Sequence, residues 1–197
     1  MSDPAIGLIE LDSISAGIVA ADSMVKTAPV GALYSGTVHP GKYLVLVSGD
    51  TASVDIAMSA GSEAGGSHVA DQVFLPDVHP LVVSAMTGQP AGADLVGEAL
   101  GIVETTTVAA AIDAADAGVK AADVGLAAIR IADGLGGKGY VLFSGSVAEI
   151  EAAVEAARDR LDQGQSLIRS DVIPQLHDEV AENVVADLGF LRRVRRS

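Results

Sequence analysis

The chain states nearly the same pattern twice. Ala5-Ile6-Gly7-Leu8-Ile9-Glu10 returns 94 positions later as Ala99-Leu100-Gly101-Ile102-Val103-Glu104. Ala20-Ala21-Asp22 and Val25-Lys26 return at the same spacing as Ala114-Ala115-Asp116 and Val119-Lys120. The spacing widens to 96 at Gly41-Lys42 against Gly137-Lys138, and to 98 at Leu75-Pro76-x-x-His79 against Ile173-Pro174-x-x-His177. A spacing that shifts between segments and holds through apolar ones marks a duplicated domain, and the period exceeds the few tens of residues of solenoid repeats. Each copy has roughly 95 residues, a common domain size. We read a first domain over 1–88, a Gly- and Pro-rich linker over 89–98, a second domain over 99–188 and a basic tail over 189–197.

Within the first copy the pattern predicts a buried strand over 5–11. A helix over 14–28 follows, capped by Ser13, with Ile14, Ile18, Ala21 and Val25 at helical spacing. Strands are predicted over 30–38 and 43–48, separated by the tight loop His39-Pro40-Gly41-Lys42. Asp50 caps a helix over 52–64, a strand over 68–75 stops at Pro76, and a short helix lies near 78–87. The second copy repeats the order: strand 99–105, helix 107–122, strand 124–132, strand 139–145, helix 147–162, strand 166–173 and a longer terminal helix near 175–188. Each unit is β-α-β-β-α-β, a split pattern that gives an antiparallel sheet with helices on one face. The fold class is α+β, ferredoxin-like in outline, twice.

Composition removes several functions. Zero cysteines exclude disulfides, thiolate metal sites and a cysteine nucleophile. A net charge of −14 disfavours nucleic acid as a partner. Arg192-Arg193-x-Arg195-Arg196 is the one basic cluster, read as a solvated tail or a contact with an acidic partner. No apolar run reaches membrane-spanning length and no signal peptide is visible, so the expected location is the cytoplasm. With 49% apolar but only 3% aromatic residues, the core must be built from Ala, Val, Ile and Leu. Such flat faces also suit burial against further copies of the chain.

The segments Ala99-Leu100-Gly101-Ile102-Val103-Glu104-Thr105, Ala114-Ala115-Asp116 with Val119-Lys120, and Val172-Ile173-Pro174-x-x-His177 together resemble a bacterial microcompartment shell domain. The first copy repeats the motifs as Gly7-x-x-Glu10, Asp22-Ser23-Met24-Val25-Lys26 and Leu75-Pro76-x-x-His79. Several separated motifs recur in order, twice, over nearly the whole chain. The resemblance extends to the tandem-domain members that form trimers shaped like hexamers. It implies a structural, non-enzymatic role: a disc that tiles edge to edge with other shell proteins, with a central pore for small polar metabolites. The pore would be lined by Val38, His39, Pro40 and Gly41 from one copy and Asp133, Gly134, Leu135, Gly136 and Gly137 from the other. Lys26, Lys120, His79 and His177 would fall at the disc edge. Taken alone, the two lysines are also favourable where a helix ends, at the negative pole of its dipole.

The resemblance has two departures. Asp77 and Gln175 stand where many members carry an arginine that enters the neighbouring disc, so lateral contacts must differ. His39 stands where some tandem relatives carry a cysteine that holds an iron–sulfur cluster. A cysteine-ligated cluster is therefore excluded.

In a trimer three copies of His39 would converge, either lining the pore, holding a metal ion, or simply facing water. Three imidazoles with an open position suit zinc, copper, nickel or iron. No other cofactor is expected. Gly134-x-Gly136-x-x-Gly139 matches a dinucleotide fingerprint formally, but Tyr140-Val141-Leu142-Phe143 after it reads as a strand, not the helix the mechanism needs. Glu10 and Glu104 sit within strands, either hydrogen-bonded at a subunit contact or facing polar solutes. No second carboxylate is fixed beside them for acid–base work. His68, His79 and His177 form no i, i+4 pair and read as structural. Two further functions stay open at this stage: a small-ligand-binding regulatory protein on a duplicated ferredoxin-like scaffold, and an enzyme with its site between the copies.

Overall fold

Every residue of the first strand, β1 (Ala5–Leu11), is buried. A strand is buried on both faces only at the centre of a covered sheet. Here Ile9 and Leu11 face a cluster of first-copy residues, and Ile6 and Leu8 face one that includes Val108 and Ile112 of the second copy. A computed structural model describes residues 5–86, 99–161 and 166–185. After β1 the first copy runs α1 (Ile14–Thr27), β2 (Ala32–Val38), β3 (Lys42–Gly49), α2 (Thr51–Gly65), β4 (Val69–Leu75) and α3 (Pro80–Met86). The second copy runs β5 (Ala99–Thr105), α4 (Val108–Ala121), β6 (Gly125–Ile131), β7 (Gly139–Gly145), α5 (Val147–Leu161), β8 (Leu167–Ile173) and α6 (Asp178–Val185). The expected linker and basic tail lie outside the described residues, as does the end of the terminal helix beyond 185.

Each copy forms a four-stranded antiparallel sheet, ordered β2-β3-β1-β4 and β6-β7-β5-β8. This is the expected split pattern. The duplication reaches the register: Glu10 lies opposite Asp71 and Glu104 opposite Arg169, and an irregularity follows each glutamate. Ser13, Asp50 and Thr107 cap α1, α2 and α4 by accepting from the backbone N–H three residues on.

Helices α1 and α2 pack together on one face of the first sheet, and α4 and α5 on one face of the second. The third helix of each copy departs from the expectation that all helices share a face. Leu100 and Ile102 alternate along β5 with Gly101, whose missing side chain makes room for Ile150 and Val154 of α5. They therefore point away from α5, and there they cluster with Leu142 and Ala181 of α6. Helix α3 packs against β6 and α4, bridging from the first copy to the second.

The copies conserve packed volume rather than identity. In the first copy Gly17 of α1 makes room for the Tyr43 ring; in the second, Ala111 sits at the matching helix position and Gly139 at the matching strand position. Likewise Met24 and Val47 give way to Gly118 and Phe143, whose ring fills the space above the glycine. Close packing demands such paired exchanges, because an uncompensated methylene strains the core.

The apolar stripe of α1 is a correction to the sequence reading. Gly17, Ala20, Ala21 and Met24 form its buried face. Of the four apolar residues set at helical spacing only Ala21 is buried, while Ile14, Ile18 and Val25 are 44%, 54% and 46% exposed. Their counterparts on α4, Val108, Ile112 and Val119, are 0%, 0% and 7% exposed. The reason is that α4 packs not only on its own sheet but also against β4 and β1 of the first copy. Periodicity found a true apolar stripe, which is buried against the first copy on α4 and left exposed on α1.

Candidate functional site

The loop joining β2 to β3 is closed by a bond from Gly41 N–H to the Val38 carbonyl, 2.9 Å, with Gly41 at φ 105°. The loop joining β6 to β7 is closed by Ala132 N–H on the Lys138 carbonyl at 3.0 Å. The two loops meet. His39 N–H donates to Asp133 Oδ1 at 3.3 Å, and His39 Nδ1 lies 3.5 Å from the same oxygen. A side chain at Gly137 would stand 3.0 Å from Pro40 Cδ. The nine residues expected to line a pore are thus split between two touching loops, with His39 and Asp133 both open to solvent. Gly139 begins β7, so the glycines lead into a strand and the dinucleotide fingerprint has no helix N-terminus to offer a pyrophosphate. Among the described residues of one chain no cluster of three metal-ligating side chains occurs.

A second constellation joins the copies. Glu10 is fully buried; one carboxylate oxygen meets Lys42 Nζ and the other accepts from Val108 N–H at 2.8 Å. The carboxylate thereby ends the backbone chain of α4 at its positive pole, where anions are favoured. Asp71 accepts from the Thr107 hydroxyl. Asp116 of α4 accepts from His79 N–H at 2.8 Å and holds Lys120 at 2.6 Å, and Lys120 also reaches the Asp77 carbonyl. Every one of these contacts except the Asp116–Lys120 pair and the Glu10–Lys42 pair crosses from one copy to the other.

The expected edge residues therefore divide. Lys120 and His79 lie at the seam inside the chain. Among the described residues Lys26 pairs only with Asp22 of its own helix, at 2.6 Å, in the open. The rings of His79 and His177 each accept a backbone N–H two residues on, from Leu81 at 3.2 Å and Glu179 at 3.3 Å, which is a capping role. His68 pairs with Asp12 at 2.9 Å. Sequence reasoning missed Lys42 and Lys138 as the partners of Glu10 and Glu104, although both lysines recur in the repeat. It also missed Asp71 and Asp113, whose counterparts Arg169 and Val19 break the repeat and so gave no signal.

A cleft of about 110 Å³ opens at this seam, lined in part by Asp71, Gln72, Asp113 and Arg160. Burial raises the Asp113 carboxyl above its ordinary value, against the pull of Arg160, whose Nε lies 2.8 Å away.

Residues 5–78 and 99–176 each match the BMC domain. The chain belongs to the BMC domain family. This BMC domain protein is 38% identical over 181 residues to the bacterial microcompartment shell protein PduT of Citrobacter freundii, spanning 92% of its own length and 97% of the relative. It is 40% identical over 96 residues to the major carboxysome shell protein CsoS1A of Halothiobacillus neapolitanus, covering 47% of this chain and 93% of that one. In structure it superposes on a microcompartment protein from Desulfitobacterium hafniense DCB with a TM-score of 0.78, at 41% identity over 90% of this chain and 98% of that chain.

Proposed function

We propose that this shell protein closes head to tail as a homotrimer, giving a disc of six BMC domains in the shell of a bacterial microcompartment. The observation that carries this is the inventory of the internal seam, each part of which has an open counterpart elsewhere on the chain. Glu104 and Lys138 pair at 2.9 Å as Glu10 and Lys42 do, but are 36% and 50% exposed and cap no helix. Asp22 and Lys26 repeat Asp116 and Lys120, and among the described residues they pair only with each other. Ile14, Ile18 and Val25 repeat the buried Val108, Ile112 and Val119. A second chain that sets its β5 and β8 against α1 satisfies all of these together, with Glu104 reaching Ile14 N–H and His177 N–H reaching Asp22. Such a contact is heterologous, and it ends only by closing a ring. With two domains per chain, six positions take three chains.

The same closure would bring three copies of the His39–Asp133 loop pair to the axis. We read them as the lining of a pore for small polar metabolites, in which the glycine backbone of residues 134–137 offers N–H groups to anionic or carbonyl solutes. A metal held by three His39 imidazoles is a further reading of the same ring. The role we read is structural rather than catalytic, in line with the shell-protein relatives. Other shell proteins are the partners at the disc edge. The family relationships favour this reading over a ligand-binding regulator.

Light scattering after size exclusion tests it. The chain is 19.8 kDa, so a trimer of about 59 kDa, or multiples of it, supports the ring. A stable monomer or dimer overturns it.

A further inference from the structure

The two seams of the ring are not chemically alike. Asp71 and Arg169 hold the same place in the register, opposite Glu10 and Glu104. Asp71 meets the helix cap Thr107, which follows the neutral Thr106. The matching cap for Arg169 is Ser13 of a neighbouring chain, which follows Asp12. The change from Asp to Arg on the strand side thus accompanies a change from Thr to Asp on the helix side.

We propose that the seam between chains carries an ion pair absent from the seam within the chain, Arg169 of one chain with Asp12 of the next. The inference rests on the ring proposed above. Arg169 is 73% exposed in the single chain and is held by Asp171 through Nε and Nη2, at 2.6 and 2.7 Å. A guanidinium has five N–H donors, so a pre-oriented fork remains for another carboxylate. Asp12 is 60% exposed and engages His68 through Oδ1. An aspartate at 169, as at 71, would face Asp12 with like charge. The exchange therefore favours the second copy's strand edge over the first's as the partner of α1. Charge complementarity of this kind fixes which edges pair.

A double-mutant cycle on the full chain decides the matter, read as the trimer dissociation constant by sedimentation. D12N and R169Q replace exposed groups, and circular dichroism checks that each variant is folded. Each single change is expected to weaken the trimer about tenfold, and the double change no further than either single. Singles that leave the constant unmoved, or effects that multiply, overturn the pair while the ring stands. A wild-type chain that never trimerises overturns the ring, and the pair with it.

Discussion

Glu10 and Val108 lie 98 positions apart, yet the Glu10 carboxylate accepts a 2.8 Å hydrogen bond from the Val108 N–H inside a buried junction. That bond joins the first sheet of one copy to the first helix of the next. Glu10→Ala removes a buried carboxylate, leaves Lys42 without its partner and orphans a helix N–H. Loss of a buried pair by removing one member costs on the order of 3 kcal/mol. Urea denaturation should register that loss. The matching Glu104→Ala should cost the isolated chain far less, because Glu104 is exposed there, and should weaken the trimer instead.

Ile18 and Ile112 are counterparts with opposite surroundings, 54% and 0% exposed. Ile112→Asp places a charge in the core and should unfold the chain, a loss above about 4 kcal/mol. Ile18→Asp should leave a folded chain of unchanged melting temperature under conditions where it is monomeric, and should abolish the trimer. Circular dichroism with light scattering separates the two outcomes. An Ile18→Asp chain that still trimerises would remove α1 from the seam.

The fold was legible because its signals are local. The caps Ser13 and Asp50 and the loops at Pro40 and Gly134 each act within a few residues, and the repeat states the pattern twice. The α1 stripe was misread for a physical reason: spacing shows that Ile14, Ile18 and Val25 share a side, not which surface covers it. The pore-loop residues came from family resemblance, and the structure adds that His39 and Asp133 touch within one chain. Asp71, Asp113 and Lys42 were invisible as functional residues because their partners lie 32 or more positions away, where no periodicity reaches.

Gly118 tests the claim that the copies conserve volume. A Cβ there would stand 2.4 Å from Phe143 Cζ, far inside contact distance. Gly118→Ala should destabilise the second copy by about 1–3 kcal/mol through overpacking, despite the better helix propensity of alanine. Adding Phe143→Leu should recover part of the loss, since the smaller side chain vacates that space. Thermal melts of the single and double variants give the answer, and additive losses would disprove the coupling.

Asp113 makes a prediction about pH. Burial raises its folded-state value above the 3.8 of an unfolded aspartate, so the folded chain binds a proton here more readily than the unfolded chain. Its contribution to stability is therefore fully present below pH 3.8 and is lost as pH rises through the raised folded value. Asp113→Asn removes the titration. The stability of the variant relative to wild type should climb across that window and then level off. Urea midpoints measured from pH 3.5 to 7 on both chains give this difference curve directly. A curve that falls with pH would mean that the bond to Arg160 outweighs burial, and that the carboxylate at the seam is held for its charge.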